Sequence, residues 1–197
     1  MVYLCNINSV HIMLKIATHN SCTGEPSKGL LSHLVIPFAR CQGKTIYDQF
    51  HAGCRLFDIR ATICRDGQYR PAHGLWTCKR TIPEILAELN VLAATDPENP
   101  TYITITYEHR NTYPAAFITE VKAWMAKFKN IHFLEIAVKK PTWTVLERFA
   151  SVPSKSDFIA LNRNHWQMWL PIPWLWKTIY YPTPSFTEDK FTYVDFL

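Results

Sequence analysis

What most restricts the folding of this chain is the alternation of short β-forming runs with helical stretches from its start to Ile136. Ile12 to Thr18 is short and apolar, as a buried strand would be, Cys54 to Thr62 alternates with period two, and Thr101 to Tyr107 is rich in β-branched and aromatic residues. Helical signals fall between and after them. Thr45 caps a short helix that Gly53 closes, and Thr81-Ile82-Pro83-Glu84 forms a capping box with an early proline, opening a helix that runs to about Thr95. Tyr113 to Phe128 is amphipathic. Further on, Ile131 to Ile136 reads as strand, Trp143 to Phe149 as helix, Phe158 to Leu161 as strand and Thr192 to Leu197 as a last strand, while the Gly-, Ser- and Pro-punctuated Ser21 to Gln42 reads as an irregular connection. Strands joined through helices lie parallel, so the expected fold is α/β, a parallel sheet or barrel.

The 197 residues, 48% hydrophobic, can bury one substantial core, and no linker, repeat or charge block divides them, so a single domain over residues 1–197 is expected. A net charge of +5 is a mild excess. It argues against a dedicated nucleic-acid binder and for weak attraction to phosphate or anionic lipid. Met1 to Leu14 lacks the basic n-region and small-residue cleavage site of a signal peptide, and no apolar stretch reaches the roughly 18–20 residues that a membrane span needs. The expected location is therefore cytoplasmic, or secreted by a route not evident, and peripheral to a membrane. Six cysteines, Cys5, Cys22, Cys41, Cys54, Cys64 and Cys78, show no zinc-like spacing, and both disulfides and buried thiols are open to them.

Chemistry concentrates in three places. Period two on Cys54–Thr62 puts Leu56, Asp58 and Arg60 on one face and Arg55, Phe57, Ile59 and Ala61 on the other. Two charges near the end of a strand point toward a polar cavity, because a sealed core would not tolerate them unpaired. His19 follows the first strand, and His73 follows the extended Tyr69–His73 that returns beside the charged one. Two imidazoles and a guanidinium form a minimal set for phosphodiester cleavage, with one His taking a proton, the other giving one, and Arg balancing the phosphoryl oxygens.

Three motifs in order, Ala17-Thr18-His19-Asn20-Ser21, Gln49-Phe50-His51-Ala52-Gly53-Cys54-Arg55-Leu56-Phe57-Asp58-Ile59-Arg60 and Ala72-His73-Gly74, are followed by a strand ending Thr106-Tyr107-Glu108. Over about the first 110 residues the chain resembles the X domain of phosphatidylinositol-specific phospholipase C, in particular its small, metal-independent bacterial type. The resemblance implies a distorted TIM-type barrel with its site at the C-terminal strand ends. Because such barrels typically take about 250 residues, this one is expected to be small, incomplete and poor in outer helices in its C-terminal half. It implies His19 as general base, His73 as general acid, Arg60 on the phosphate, and Asp58 and Asn20 orienting them. A carboxylate on the last strand would steer the base, and Asp195 is the candidate. Glu108 and Arg163 are candidate substrate contacts.

The implied reaction is attack of the inositol 2-hydroxyl on phosphorus, giving diacylglycerol and a cyclic inositol phosphate. The partner would be a phosphatidylinositol-type lipid or glycosylated anchor at a membrane surface, the protein a monomer, and no cofactor needed. The alternative is Ca²⁺ held by Asn20, Asp58 and Glu108, which the charge of Arg60 opposes. Metal-dependent glycerophosphodiesterase or sphingomyelinase D-like chemistry, and a non-catalytic lipid-binding barrel, are the competing readings. The aromatic tail, with Trp169, Trp174 and Trp176, would either insert at a membrane interface or plug the chain's own core.

Overall fold

The structure is a computed structural model, and it describes residues 15–108, 115–134, 136–138, 144–147, 159–160 and 191–194. The strands are β1 (Ile16–Thr18), β2 (Cys54–Ile63), β3 (Tyr69–His73), β4 (Trp76–Thr77), β5 (Thr101–Tyr107), β6 (Ile131–Phe133), β7 (Ile136–Val138), β8 (Thr144–Glu147), β9 (Ile159–Ala160) and β10 (Phe191–Val194). The helices are α1 (Gly29–Ala39), α2 (Ile46–His51), α3 (Ile82–Ala94) and α4 (Ala115–Lys127). The sheet runs β8-β7-β5-β2-β1-β10-β9, with β6 also on β5 and the β3–β4 hairpin on the far end of β2.

The order of strands explains the shape. β9, β10, β1, β2, β5 and β7 are mutually parallel, and the last strand in the chain pairs with the first, Thr18 opposite Val194. Sequential parallel strands whose last member returns to the first follow a barrel path. Among the described residues the path does not close: β8 and β9 are not paired.

Register then separates the two faces. Leu56, Asp58 and Arg60 on β2 lie opposite Tyr102, Thr104 and Thr106 on β5, and these form one row. Leu56 packs inside the sheet with Ala17, Leu134, Phe191 and Tyr102. Phe57, Ile59, Ala61, Ile103, Ile105 and Tyr107 face the other way into the larger core, against Ile82, Ile85, Leu86 and Leu89 of α3 and Phe117 and Val121 of α4. An apolar layer thus seals the inside at the level of Leu56, and the charged pair lies one and two steps further toward the strand end.

Helix α3 forms as its sequence directs: the Thr81 hydroxyl accepts from the Glu84 N–H and the Glu84 carboxylate accepts from the Thr81 N–H. Thr45 likewise caps α2, and Gly53 takes the left-handed conformation just beyond it (φ 93°). Three expectations need correction. Ser21–Gln42 is not irregular: a 3-10 turn (Ser21–Gly24) leads into α1, which has no side-chain cap and holds Pro37 within it, so the usual start and stop signals are missing. Within the helix read over Trp143–Phe149, the described Thr144–Glu147 is strand instead, pairing antiparallel with Ile136–Val138 and so satisfying its backbone across the sheet. The strand read over Ile131–Ile136 is two, β6 and β7, both on β5, with registers on it that differ by one residue.

Among the described residues no helix is long and apolar enough to cross a membrane. Cys22, Cys41, Cys54, Cys64 and Cys78 are free thiols, all but Cys64 buried, and Cys5 lies outside the described residues. Burial pushes Cys54 up to about 11 and Cys78 up to about 12, so both stay protonated.

Candidate active site

Strand ends place the site. β1 delivers His19 and Asn20 to the turn that follows it, β2 projects Asp58 and Arg60 inward, β3 ends on His73, and Glu108 comes directly after β5. The Glu108 N–H donates to the Ala61 carbonyl (2.8 Å), which draws the end of β5 against β2. The sequence-identified residues His19, Asn20, Asp58, Arg60, His73 and Glu108 therefore converge on one end of the sheet.

Arg60 is the hub. It is buried, its Nη2 lies 2.6 Å from Nε2 of His19, its Nε 3.6 Å from Asp58 and its Nη1 3.9 Å from Glu108. A guanidinium has no acceptor, so Nε2 of His19 accepts and holds its lone pair toward the arginine. Asp58 is buried too, and donors hold it: the Thr104 hydroxyl (3.0 Å) and the Asn20 N–H (3.3 Å), with Nε2 of His19 3.9 Å away. The buried guanidinium is thus paired, with the carboxylates of Asp58 and Glu108 both within 4 Å of it.

Asn20 is the one non-glycine residue at positive φ among the described residues (φ 46°, ψ 49°). A left-handed asparagine costs local strain and marks a position fixed by its surroundings. Here the strain turns the Asn20 N–H onto Asp58 and the side-chain amide toward His73, whose Nε2 lies 3.4 Å from Asn20 Nδ2. On its other edge, Nδ1 of His73 lies 2.7 Å from the Ala39 carbonyl oxygen, and a carbonyl only accepts, so Nδ1 carries the hydrogen. Gly74, at φ 59°, turns the chain after His73 and aims its N–H at Glu108 (3.4 Å).

Burial first, then the Arg60 charge, pulls His73 down to about 3 from its ordinary 6.5. The Ala39 carbonyl and Glu108 act the other way, and His19 adds to the depression. In the free protein His73 is neutral at physiological pH.

The oxygen set Asn20, Asp58 and Glu108 does not suit a divalent cation here. The guanidinium of Arg60 lies within 4 Å of both carboxylates, at 3.6 and 3.9 Å, where a cation would have to sit. Among the described residues no three His, Cys, Asp or Glu side chains gather as a cation site.

Sequence reasoning missed four contributors. Thr104 follows from register alone, being opposite Asp58. Ala39, Cys41 and Gln42 carry no motif and come in from the end of α1: Gln42 Nε2 donates to the carbonyls of His19 (3.0 Å) and Val194 (2.8 Å), and Cys41 Sγ accepts from Asn20 Nδ2 (3.2 Å). Asp195, Arg163, Trp169, Trp174 and Trp176 lie outside the described residues.

No protein-family model and no curated sequence matches the chain. Solved structures do. The phosphatidylinositol-specific phospholipase C of Listeria monocytogenes is similar at TM-score 0.51 and 15% identity, over 78% of this chain and 62% of that one. A Staphylococcus aureus phosphatidylinositol-specific phospholipase C, solved in work on modulating its membrane binding, is similar at TM-score 0.50 and 14% identity, over 73% of this chain and 53% of that one. This chain thus spans less than two thirds of either protein. At such identities the likeness is one of fold, and the fold is a mixed α/β one resembling that barrel, with its sheet unclosed among the described residues.

Proposed function

We propose that this protein cleaves the phosphodiester of a phosphatidylinositol-type lipid, without a metal, by intramolecular attack of a headgroup hydroxyl. The observation that carries this is the Arg60 guanidinium, in contact with Nε2 of His19 and set between two buried carboxylates, with His73 across the Asn20 amide. A cation held in place beside a basic nitrogen fits an anionic ester whose neighbouring hydroxyl must lose a proton.

The steps follow from the atoms. Arg60, turning onto the phosphoryl oxygens, releases Nε2 of His19, which takes the proton of the 2-hydroxyl as its oxygen forms a bond to phosphorus. The bond from phosphorus to the glycerol oxygen breaks, and that oxygen takes a proton from Nε2 of His73, leaving diacylglycerol and a cyclic phosphate. Arg60 faces the phosphoryl oxygens in place of a cation. Asp58 holds Arg60 and His19 in position, and we assign Asp195, next to Val194 on the β1–β10 pair, as the carboxylate that orients His19.

His73 must be protonated to act as the acid, yet the free protein holds it neutral. The anionic ester resolves this. Its charge offsets that of Arg60, the second cause of the depression, and so raises His73 when it is needed.

The same reading places a lipid surface against α1. Leu30, Leu31, Leu34 and Phe38 are 56% to 74% exposed and share an arc of about 100° on the helix, whereas Ser32 and Ala39 are buried on its opposite side. Leu75, beside His73 and Gly74, is also exposed. A helix with its large apolar residues outward fits an interfacial helix, and the last residue of α1, Ala39 on its buried side, lies one hydrogen bond from His73.

Incubation with phosphatidylinositol vesicles in chelator, followed by phosphorus NMR, tests the reading. A cyclic inositol phosphate is expected. No cleavage in chelator, with cleavage restored by Ca²⁺, would replace it with the metal-dependent alternative, and binding without product would leave a lipid-binding barrel.

A further inference from the structure

Residues 39 to 42, the last of α1 and the three that follow it, touch three members of the site: Ala39 meets His73, Cys41 meets Asn20, and Gln42 meets His19. We propose, resting on the function given above, that Cys41 is a positioning residue whose sulfur fixes which edge of the Asn20 amide faces His73.

The geometry is restrictive. With Nδ1 of His73 committed to the Ala39 carbonyl at 2.7 Å, the neutral ring offers a lone pair at Nε2, and only a donor is welcome there. Asn20 Nδ2 has two hydrogens. One reaches Nε2 at 3.4 Å and the other the Cys41 sulfur at 3.2 Å. The sulfur is itself 3.9 Å from Nδ1 of His73, so it sits against both partners.

Its position is well anchored. The Cys41 and Gln42 N–H groups both donate to the Thr23 hydroxyl at 2.9 Å, and that hydroxyl donates to the Asn20 carbonyl at 2.9 Å. Sulfur and amide are thus tied to the same turn. Without an acceptor at residue 41, nothing on that side selects the N–H edge. The lone pair of a neutral His73 still favours that edge, but once the ring is protonated the amide can turn its carbonyl oxygen to the Nε2–H and hold that proton back from the leaving oxygen. The charges around the ring, Arg60, His19 and Glu108, are unchanged by that rotation.

The test compares Cys41→Ala with Cys41→Ser, which keeps an acceptor. Nitrogen NMR of the His73 ring, followed as pH falls, should show the Nδ1–H tautomer in wild type and Cys41→Ser, and in Cys41→Ala a doubly protonated ring that appears at higher pH than in either. With a monomeric short-chain phosphatidylinositol, kcat of Cys41→Ala should fall about 10-fold at unchanged KM, and Cys41→Ser should return to within about 3-fold of wild type. A Cys41→Ala protein with wild-type ring protonation and kcat, whatever its melting temperature, overturns the proposal and leaves Cys41 as packing. If wild type forms no cyclic phosphate, the functional reading fails, while the ring protonation still decides the role of Cys41.

Discussion

The two faces of β2 are built from one run of residues and do opposite work. Outward, Phe57, Ile59 and Ala61 are fully buried against α3 and α4, and their contribution is the apolar area they remove from water. Inward, Leu56 closes the bottom of the sheet, and Asp58 and Arg60 are just as buried but stand in a polar layer with His19, Thr104 and Glu108. Period two separates them by a single step along the chain. Substitution on one face should therefore cost folding, and on the other should cost turnover.

The largest effect is expected where the two costs meet. Arg60→Met should abolish cyclic phosphate formation and also lower stability by about 3–5 kcal/mol, because Asp58 and Glu108 lose the cation between them. Denaturant unfolding with a turnover assay measures both. Next, His73→Gln should cut turnover by about 10²–10⁴ with little loss of fold. A variant cleaving at the wild-type rate would remove His73 from the mechanism.

Ile59→Ala then tests the outward face. It should cost about 2–5 kcal/mol in urea unfolding, and turnover per folded molecule should not change. Thr104→Val is milder, removing one donor from Asp58 on the inward face, about 1–3 kcal/mol, with a measurable rise in KM or fall in kcat. If Ile59→Ala damages kcat as much as Thr104→Val does, the division between faces fails.

The last effect is absent at neutral pH and emerges only on acidification. His73 is depressed from 6.5 to about 3, so across that window the unfolded chain binds a proton that the folded one does not. The stability linked to His73 is complete above pH 6.5 and declines as pH falls toward 3. His73→Gln should flatten that part of the stability-against-pH curve, and bound inositol phosphate should shift the window upward.

Helices α3 and α1 show how far the sequence could be read. The capping box at Thr81–Glu84 is local chemistry, so α3 was legible to its first residue. α1 has no cap, a proline inside and its apolar residues outward, and it forms because its ends are held from elsewhere: Thr77 N–H on Ser32, Lys28 N–H on Thr77, His73 on Ala39. The β8 segment was misread for the same reason, its backbone partners lying on another strand.

By itself the sequence determined which β2 side chains oppose which, since alternation along an extended chain is a property of the backbone, and the order of its motifs singled out His19, Asn20, Asp58, Arg60, His73 and Glu108 as candidates. Only the tertiary structure decided that the end of α1 reaches His73, Asn20 and His19, that Thr104 holds Asp58, and that His73 is neutral when free. Those outcomes depend on distance and desolvation between segments far apart in the chain, and neither is written in any local pattern.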